Sequence, residues 1–163
     1  MLKIGKLTID GRGTRPVSRE DFKEGIRDWA HFLGLRIRFE NRREGHVKKR
    51  KSYCNFQVGR IVVCESYAGE LYPLWDLMET TLHELGHWIQ FNEGLFARYF
   101  GEPYYGGVRE GSRDVSLALR AERHADWLSK RLLKELYGME YKGNSIYADT
   151  ESARKFLNAH YGD

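Results

Sequence analysis

Two histidines with a glutamate between them are the residues of this 163-residue chain whose spacing has the clearest chemical meaning. In His83-Glu84-Leu85-Gly86-His87 the imidazoles are four residues apart, so on a helix they leave the same face one turn apart. Both can then bind one zinc ion at about 2.0–2.1 Å. Zinc lowers the pKa of a bound water toward about 7, and Glu84 is placed to accept its proton. The pattern predicts a hydrolytic zinc site with Glu84 as general base.

The alternative is that two surface histidines happen to occupy an ordinary helix. The surrounding sequence argues against it, because the polar residues of the motif avoid the apolar stripe of Leu82, Leu85 and Ile89. The motif also follows directly after a predicted hairpin. We therefore treat His83 and His87 as metal ligands.

A catalytic zinc site needs a third protein ligand and an open position. The metzincin spacing is absent, because Gln90 and Glu93 stand where that pattern has a glycine and its last ligand, and a continuing helix turns Glu93 away. Glu122, in a separate predicted helix, is the leading candidate. Asp126 lies four residues later on the same helical face, where it can accept a hydrogen bond from the outer nitrogen of a metal-bound imidazole.

A further group normally stabilises the oxyanion that forms during peptide hydrolysis. His124 leaves a different face of the helix from Glu122, which favours a surface role. Tyr104 and Tyr105 lie in a glycine-rich loop between the two metal-bearing helices, where a substrate cover would lie. The sequence leaves the choice open among six residues, which are Tyr104, Tyr105, His124, Tyr141, Tyr147 and His160.

The elements that position these residues follow from capping signals and hydrophobic periods. Ser18 starts an amphipathic helix that Gly34 ends, and a half-buried strand follows over residues 35–40. The segments SYCNFQ and RIVVCE flank a glycine turn and predict a hairpin. Helical periods run from Pro73 to Gly94 and over residues 118–132, and a short helix is expected near residues 152–159. The first element is expected to be a helix, and the sheet to have at least three strands.

Composition limits the class of protein. With 41% hydrophobic, 13% aromatic and 31% charged residues, the chain has enough apolar surface for a core, and its length suits one domain spanning residues 1–163. No apolar stretch approaches the roughly 20 residues of a membrane span, and the start, MLKIGKLTIDGRG, lacks the apolar run of a signal peptide. We expect a cytoplasmic protein with no membrane partner.

Two other features bear on redox state and partners. Cys54 and Cys64 are expected to be reduced thiols, although a hairpin turning on residues 58–60 would place them opposite each other and permit a bridge. Six basic residues crowd between Arg42 and Lys51 and predict a weak nucleic-acid contact. A solvated loop is the favoured interpretation of that segment, because no aromatic residues interleave with the charges.

Taken together, the two motif-bearing segments resemble the gluzincin peptidases, in which HExxH precedes a helix with a glutamate ligand and an acidic residue four positions later. The chain is most similar to the small cytoplasmic metallopeptidases of the ImmA/IrrE type. His83 to His87 match their HELGH, and Glu122, Ala125 and Asp126 match their E-x-x-A-[ND] segment. Leu128 and Ser129 stand where that family has Phe and Ala, and the interval from His87 to Glu122 is long.

This resemblance implies a minimal zincin-like α+β fold and one Zn²⁺ per chain. The fold would have an N-terminal helix, a small mixed sheet of three to four strands, the HExxH helix and a second helix carrying the third ligand. An edge strand within residues 60–65 would pair with an extended substrate. The expected partner is a peptide or protein substrate.

Two other functions compete with a peptidase. One is a non-proteolytic zincin-like domain that binds zinc for structure or regulation while nucleic acid or a protein contacts the basic segment. Glu84 argues against it, since a structural site needs no base and usually has four protein ligands. The other resembles SprT-like proteases that act on DNA-bound proteins, and the basic segment is its support.

Overall fold

A computed structural model gives the fold and describes residues 1–11, 13–46, 52–95, 115–140, 149, 151–153 and 155. Two short strands and a helix come first along the chain, and four more strands then precede the two longest helices. The elements are β1 (Leu2–Ile4), β2 (Leu7–Ile9), α1 (Arg19–Phe32), β3 (Arg36–Arg42), β4 (Tyr53–Asn55), β5 (Arg60–Tyr67), β6 (Glu70–Leu71), α2 (Leu74–Asn92) and α3 (Val115–Tyr137). The predicted α+β class is confirmed.

Helix α1 begins and ends as the sequence predicts. The Ser18 hydroxyl accepts a hydrogen bond from the Asp21 amide at 3.1 Å, which satisfies one of the free N–H groups of the first turn. Its buried face consists of Phe22, Ile26 and Ala30. The chain leaves the helix through Gly34, whose φ of +75° suits glycine, and enters β3.

Strand β5 is the centre of a mixed four-stranded sheet. It pairs parallel with β3 and antiparallel with β4 and β6. Residues 61–66 are all buried, which explains why this strand is rich in branched apolar residues and does not alternate. The expectation of an edge strand within residues 60–65 is therefore wrong. Among the described strands, the sheet ends at β3 on one side of β5 and at β4 on the other.

The register of the β4–β5 hairpin separates the two cysteines. Cys54 lies opposite Ile61, and Asn55 lies opposite Arg60, so the turn occupies residues 56–59. Cys64 is three residues farther along β5, which places it beyond direct pairing with Cys54, and both cysteines are free thiols. The geometry that would have allowed a bridge is absent, and the expectation of free thiols agrees with the structure.

A hairpin, and not a helix, is the first element. Leu2–Ile4 and Leu7–Ile9 pair antiparallel around Gly5-Lys6, and Leu2, Ile4 and Ile9 are buried. The Lys6 amide donates to the Glu93 carboxylate at 3.1 Å, which fastens the hairpin to the end of α2. Glu93 is thus engaged away from the histidines, as its place on a continuing helix predicted.

The core joins the hairpin, the sheet and the three helices. Its buried apolar residues form one cluster that includes Phe22, Ile61, Met78, Leu85 and Leu132. Residues 151–153 are helical, and the rest of the expected C-terminal helix lies outside the described residues. Among the described helices, none combines the length and the apolar character that crossing a bilayer requires.

Candidate metal centre

Helix α2 presents both histidines to the same side. It starts after Pro73, whose fixed φ suits a position where a backbone N–H is not needed, and continues without interruption to Asn92. Leu82, Leu85 and Ile89 are at most 1% exposed and hold the opposite face in the core. The rings of His83 and His87 consequently lie one turn apart in an edge-to-face arrangement, with their centroids separated by 4.8 Å.

Helix α3 packs against α2 and brings Glu122 between the two rings. Oε2 of Glu122 lies 2.7 Å from Nε2 of His83 and 3.1 Å from Nε2 of His87. The two Nε2 atoms are 3.1 Å apart. Within the described part of the chain, His83, His87 and Glu122 are the group whose donor atoms converge in the manner of a metal site.

The donors fit a zinc ion by their separation and their chemistry. Two atoms bound to one tetrahedral zinc at 2.0–2.1 Å lie about 3.3 Å apart, which is close to the distances between these three atoms. Two imidazoles and one carboxylate are also a ligand set of catalytic zinc sites, which leave a fourth position open. The cluster therefore meets the requirements for holding a divalent metal ion.

Outer hydrogen bonds fix which nitrogen of each imidazole faces the centre. Nδ1 of His83 lies 2.7 Å from Oδ1 of Asp126, and a carboxylate only accepts, so Nδ1 is the donor. Nδ1 of His87 donates in the same way to the amide oxygen of Gln90 at 3.0 Å. Both Nε2 atoms consequently face Glu122, the arrangement that a metal-binding histidine needs.

The electrostatics of the three groups agree with this arrangement. Burial alone lowers the pKa of His83, but hydrogen bonds to Asp126 and Glu122 and the charge of Glu122 raise it well above its usual value. The pKa of His87 is also raised, since the charge and hydrogen bond of Glu122 outweigh burial. Burial opposes ionisation of Glu122, yet the two imidazoles hold the pKa of its carboxyl far below normal. A metal ion would replace protons as the positive charge here.

Comparison of the whole chain with protein-family models, with curated proteins and with solved structures gave no match. The functional interpretation therefore starts from the arrangement of the side chains. That arrangement has three converging donors and two outer hydrogen-bond acceptors, all on α2 and α3.

The negative charge of Glu84 affects the pKa values of both histidines and of Cys54 on β4. It is half-buried, and its negative charge contributes to the raised pKa values of His83 and His87. On β4, burial raises the pKa of the Cys54 thiol, and the charge of Glu84 raises it further. The charge of Glu84 therefore acts both on the converging donors and on a residue of β4.

His124 is closer to the centre than its place in the sequence predicts. Its Nδ1 lies 2.9 Å from the amide nitrogen of Gln90, the same side chain that bonds to His87. Burial and the charge of His87 lower the pKa of His124. The ring is half-buried and joined to the site through Gln90.

Several of the predicted residues are not placed by the structure. The other candidates for oxyanion stabilisation lie outside the described residues, and they are Tyr104, Tyr105, Tyr141, Tyr147 and His160. Residues 47–51 of the basic segment also lie outside them. Arg42 corrects the expectation of a basic surface, because it is 3% exposed in β3 and its Nε lies 3.1 Å from Glu40. It does not belong to an exposed patch that would contact phosphate.

Gln90 is the site residue that the sequence analysis missed. In the sequence it stands out only as a departure from the metzincin pattern. Its position three residues after His87 places it one turn farther along the same face, which is the signal that would have found it. Its partners on α3 depend on how the two helices pack.

Proposed function

We propose that this protein is a zinc-dependent peptidase of the gluzincin type, most similar to the ImmA/IrrE-type cytoplasmic enzymes. The observation that carries the proposal is the convergence of His83 Nε2, His87 Nε2 and Glu122 Oε2 within 3.1 Å of one another, with Glu84 beside them. His83, His87 and Glu122 would hold one Zn²⁺. A structural role for the same ion would not require a carboxylate at position 84.

Some residues of the site would bind the ion, and others orient the residues that bind it. Bound zinc lowers the pKa of water and polarises a peptide carbonyl. Asp126 and Gln90 hold the two imidazoles with Nε2 toward the ion, and Glu122 supplies the negative charge that balances part of the metal's charge.

Glu84 would act as the proton carrier of the reaction. Its carboxylate accepts a proton from the attacking water while the water oxygen bonds to the carbonyl carbon of the substrate. The same proton then passes to the amide nitrogen as the C–N bond breaks, which releases an amine and a carboxylic acid. The acid then loses the second proton of the water and becomes a carboxylate. The half-buried position of Glu84 directly after His83 on α2, and the effect of its charge on both histidines, support this role.

Strand β4 is the surface along which an extended peptide would bind. Among the described strands it lies at one edge of the sheet, and an edge strand can pair with an extended peptide backbone. Because Cys54 on β4 is near Glu84, a peptide added there would pass the general base. This assignment replaces β5 with β4 as the strand that pairs with the substrate.

The experiment compares the zinc-loaded wild type with Glu84→Gln on a peptide library prepared from a digested proteome. Mass spectrometry of new termini needs no known substrate. Glutamine keeps the size of the side chain but cannot accept the proton, so we expect new termini from the wild type only. Zinc analysis of both proteins is the control and should give equal metal contents. Equal cleavage by both proteins, or no cleavage by a fully zinc-loaded wild type, contradicts the proposal.

A further inference from the structure

Gln90 makes three hydrogen bonds at the junction of the two metal-bearing helices. Its side chain is fully buried on α2. The amide oxygen accepts from Nδ1 of His87 at 3.0 Å. The amide nitrogen lies 2.9 Å from the carbonyl oxygen of Ala121 and 2.9 Å from Nδ1 of His124, both on α3.

The contact with Ala121 decides which end of the amide faces which ring. A backbone carbonyl only accepts, so the group facing Ala121 must be the NH₂ of Gln90. The oxygen therefore faces His87, and His87 must carry its proton on Nδ1. By the same reasoning His124 accepts at Nδ1, so in its neutral form it carries its proton on Nε2.

We propose that Gln90 is a positioning residue that sets the orientation of the metal centre from both helices at once. On α2 it holds the His87 ring with Nε2 toward the ion. On α3 it fastens the backbone at Ala121, the residue directly before Glu122. It also holds His124 in the Nε2–H form, the form that donates from the far side of the ring. This inference rests on the proposed function, because the ion is the group being positioned.

The first test is zinc affinity, measured by competition with a chelator. Gln90→Leu removes the acceptor for His87 and both bonds to α3, and we expect the zinc dissociation constant to rise about 10- to 100-fold. Gln90→Glu keeps an acceptor for His87 but cannot donate to Ala121 or His124, so its dissociation constant should lie between those of the wild type and of Gln90→Leu. An unchanged dissociation constant in folded Gln90→Leu overturns the proposal.

The matched control is Ser129→Ala. The Ser129 hydroxyl is buried and donates to the Glu79 carbonyl at 3.4 Å, so it is also a side-chain hydrogen bond between α3 and α2. It contacts none of the three converging donors. We expect Ser129→Ala to leave the zinc dissociation constant unchanged. A loss of zinc affinity equal to that of Gln90→Leu would mean that any weakening of the helix pair has this effect, which also overturns the proposal.

The second test detects which nitrogen of the His124 imidazole carries a proton. It requires neither bound metal nor enzymatic activity. In ¹⁵N-edited NMR of the metal-free wild type at a pH where His124 is neutral, we expect its proton on Nε2 and a bare Nδ1. In Gln90→Glu the new carboxylate has no N–H to donate, so Nδ1 of His124 should gain a proton. An unchanged His124 signal in Gln90→Glu contradicts the inference.

The two tests separate this inference from the proposed function. A wild type that binds no zinc refutes the proposed function and with it the positioning of an ion, while the NMR signals of His124 separately test the hydrogen bond that Gln90 makes to that ring. A wild type that binds zinc, together with a folded Gln90→Leu of equal affinity, refutes the role of Gln90 alone. If Gln90→Leu does not fold, the NMR comparison of Gln90→Glu with the wild type tests whether the Gln90 amide donates to His124.

Discussion

Gly86 on α2 lies directly against the backbone of Ala125 on α3. A Cβ added at Gly86 would be 3.0 Å from the Ala125 carbonyl oxygen and 3.3 Å from Cβ of Leu128. Gly86 lies between the two histidines in sequence, so this close contact between the helices occurs beside the candidate metal centre. This close approach is what allows the carboxylate of Glu122 to reach both rings.

Gly86→Ala should therefore push α3 away from α2. We expect a loss of about 1–3 kcal/mol in the free energy of unfolding, because the contact at Gly86 involves backbone that cannot rotate aside. Weaker zinc binding should accompany it, since Glu122 moves with α3. Urea unfolding and chelator competition measure the two effects.

Gly25→Ala is the matched control for that substitution. Gly25 is also in a helix, but an added Cβ meets nothing within 4 Å. Alanine should there raise the free energy of unfolding by about 0.5–1 kcal/mol, because it reduces the backbone entropy of the unfolded chain. Destabilisation of both variants to the same extent would refute the close-packing argument.

Asp126→Asn should weaken zinc binding without removing the ligand set. The carboxylate accepts from Nδ1 of His83 at 2.7 Å, and a neutral amide is a weaker acceptor for that ring. We expect the zinc dissociation constant to rise about tenfold or more. Asp28→Asn, an exposed position on α1, removes the same charge and should leave the constant unchanged. If both substitutions raise the zinc dissociation constant equally, the cause is the change in net charge and not the hydrogen bond to His83.

The metal-free protein should depend on pH through the same three groups. The pKa of His83 is raised above its usual 6.5, so its stabilising contribution is complete below that pH and is lost as pH rises through the folded-state value. The pKa of Glu122 is lowered from 4.5, so its contribution is complete above that pH and is lost on acidification. Between pH 4.5 and 6.5 both contributions are present.

Urea unfolding in the presence of a chelator, at pH 6 and pH 9, measures this dependence. We expect the wild type to be less stable at pH 9. Glu122→Gln removes the negative charge that raises the pKa values of both histidines, so its change in stability between the two pH values should be smaller. An equal loss of stability between pH 6 and pH 9 in the two proteins would contradict the role of Glu122 in raising the pKa values of the histidines.

The larger elements were predictable because their signals are local. Ser18 and Gly34 mark the ends of α1, and α2 and α3 each have a helical period of buried apolar residues. The four-residue spacings of His83 with His87 and of Glu122 with Asp126 placed each pair on one helical face. That these two faces meet was expected from the resemblance to gluzincins, since no local signal encodes the packing of two distant helices.

What the sequence did not reveal depends on short strands and on register. Strands of three residues, such as Leu2–Ile4, give too short an alternation to stand out from a loop. The turn at residues 56–59 is longer than the predicted one, and turn length sets which residues of a hairpin face each other. The pairing of Cys54 with Ile61 follows from that turn. The bonds of Gln90 needed the packing of α2 on α3.

The most direct test is the zinc content of the purified wild type, of Glu84→Gln and of Glu122→Ala at equal protein concentration. If His83, His87 and Glu122 hold the ion and Glu84 does not, the first two proteins should contain about one zinc per chain. Glu122→Ala should contain clearly less. Full zinc loading of folded Glu122→Ala, or no zinc in the wild type, would contradict the proposed metal centre.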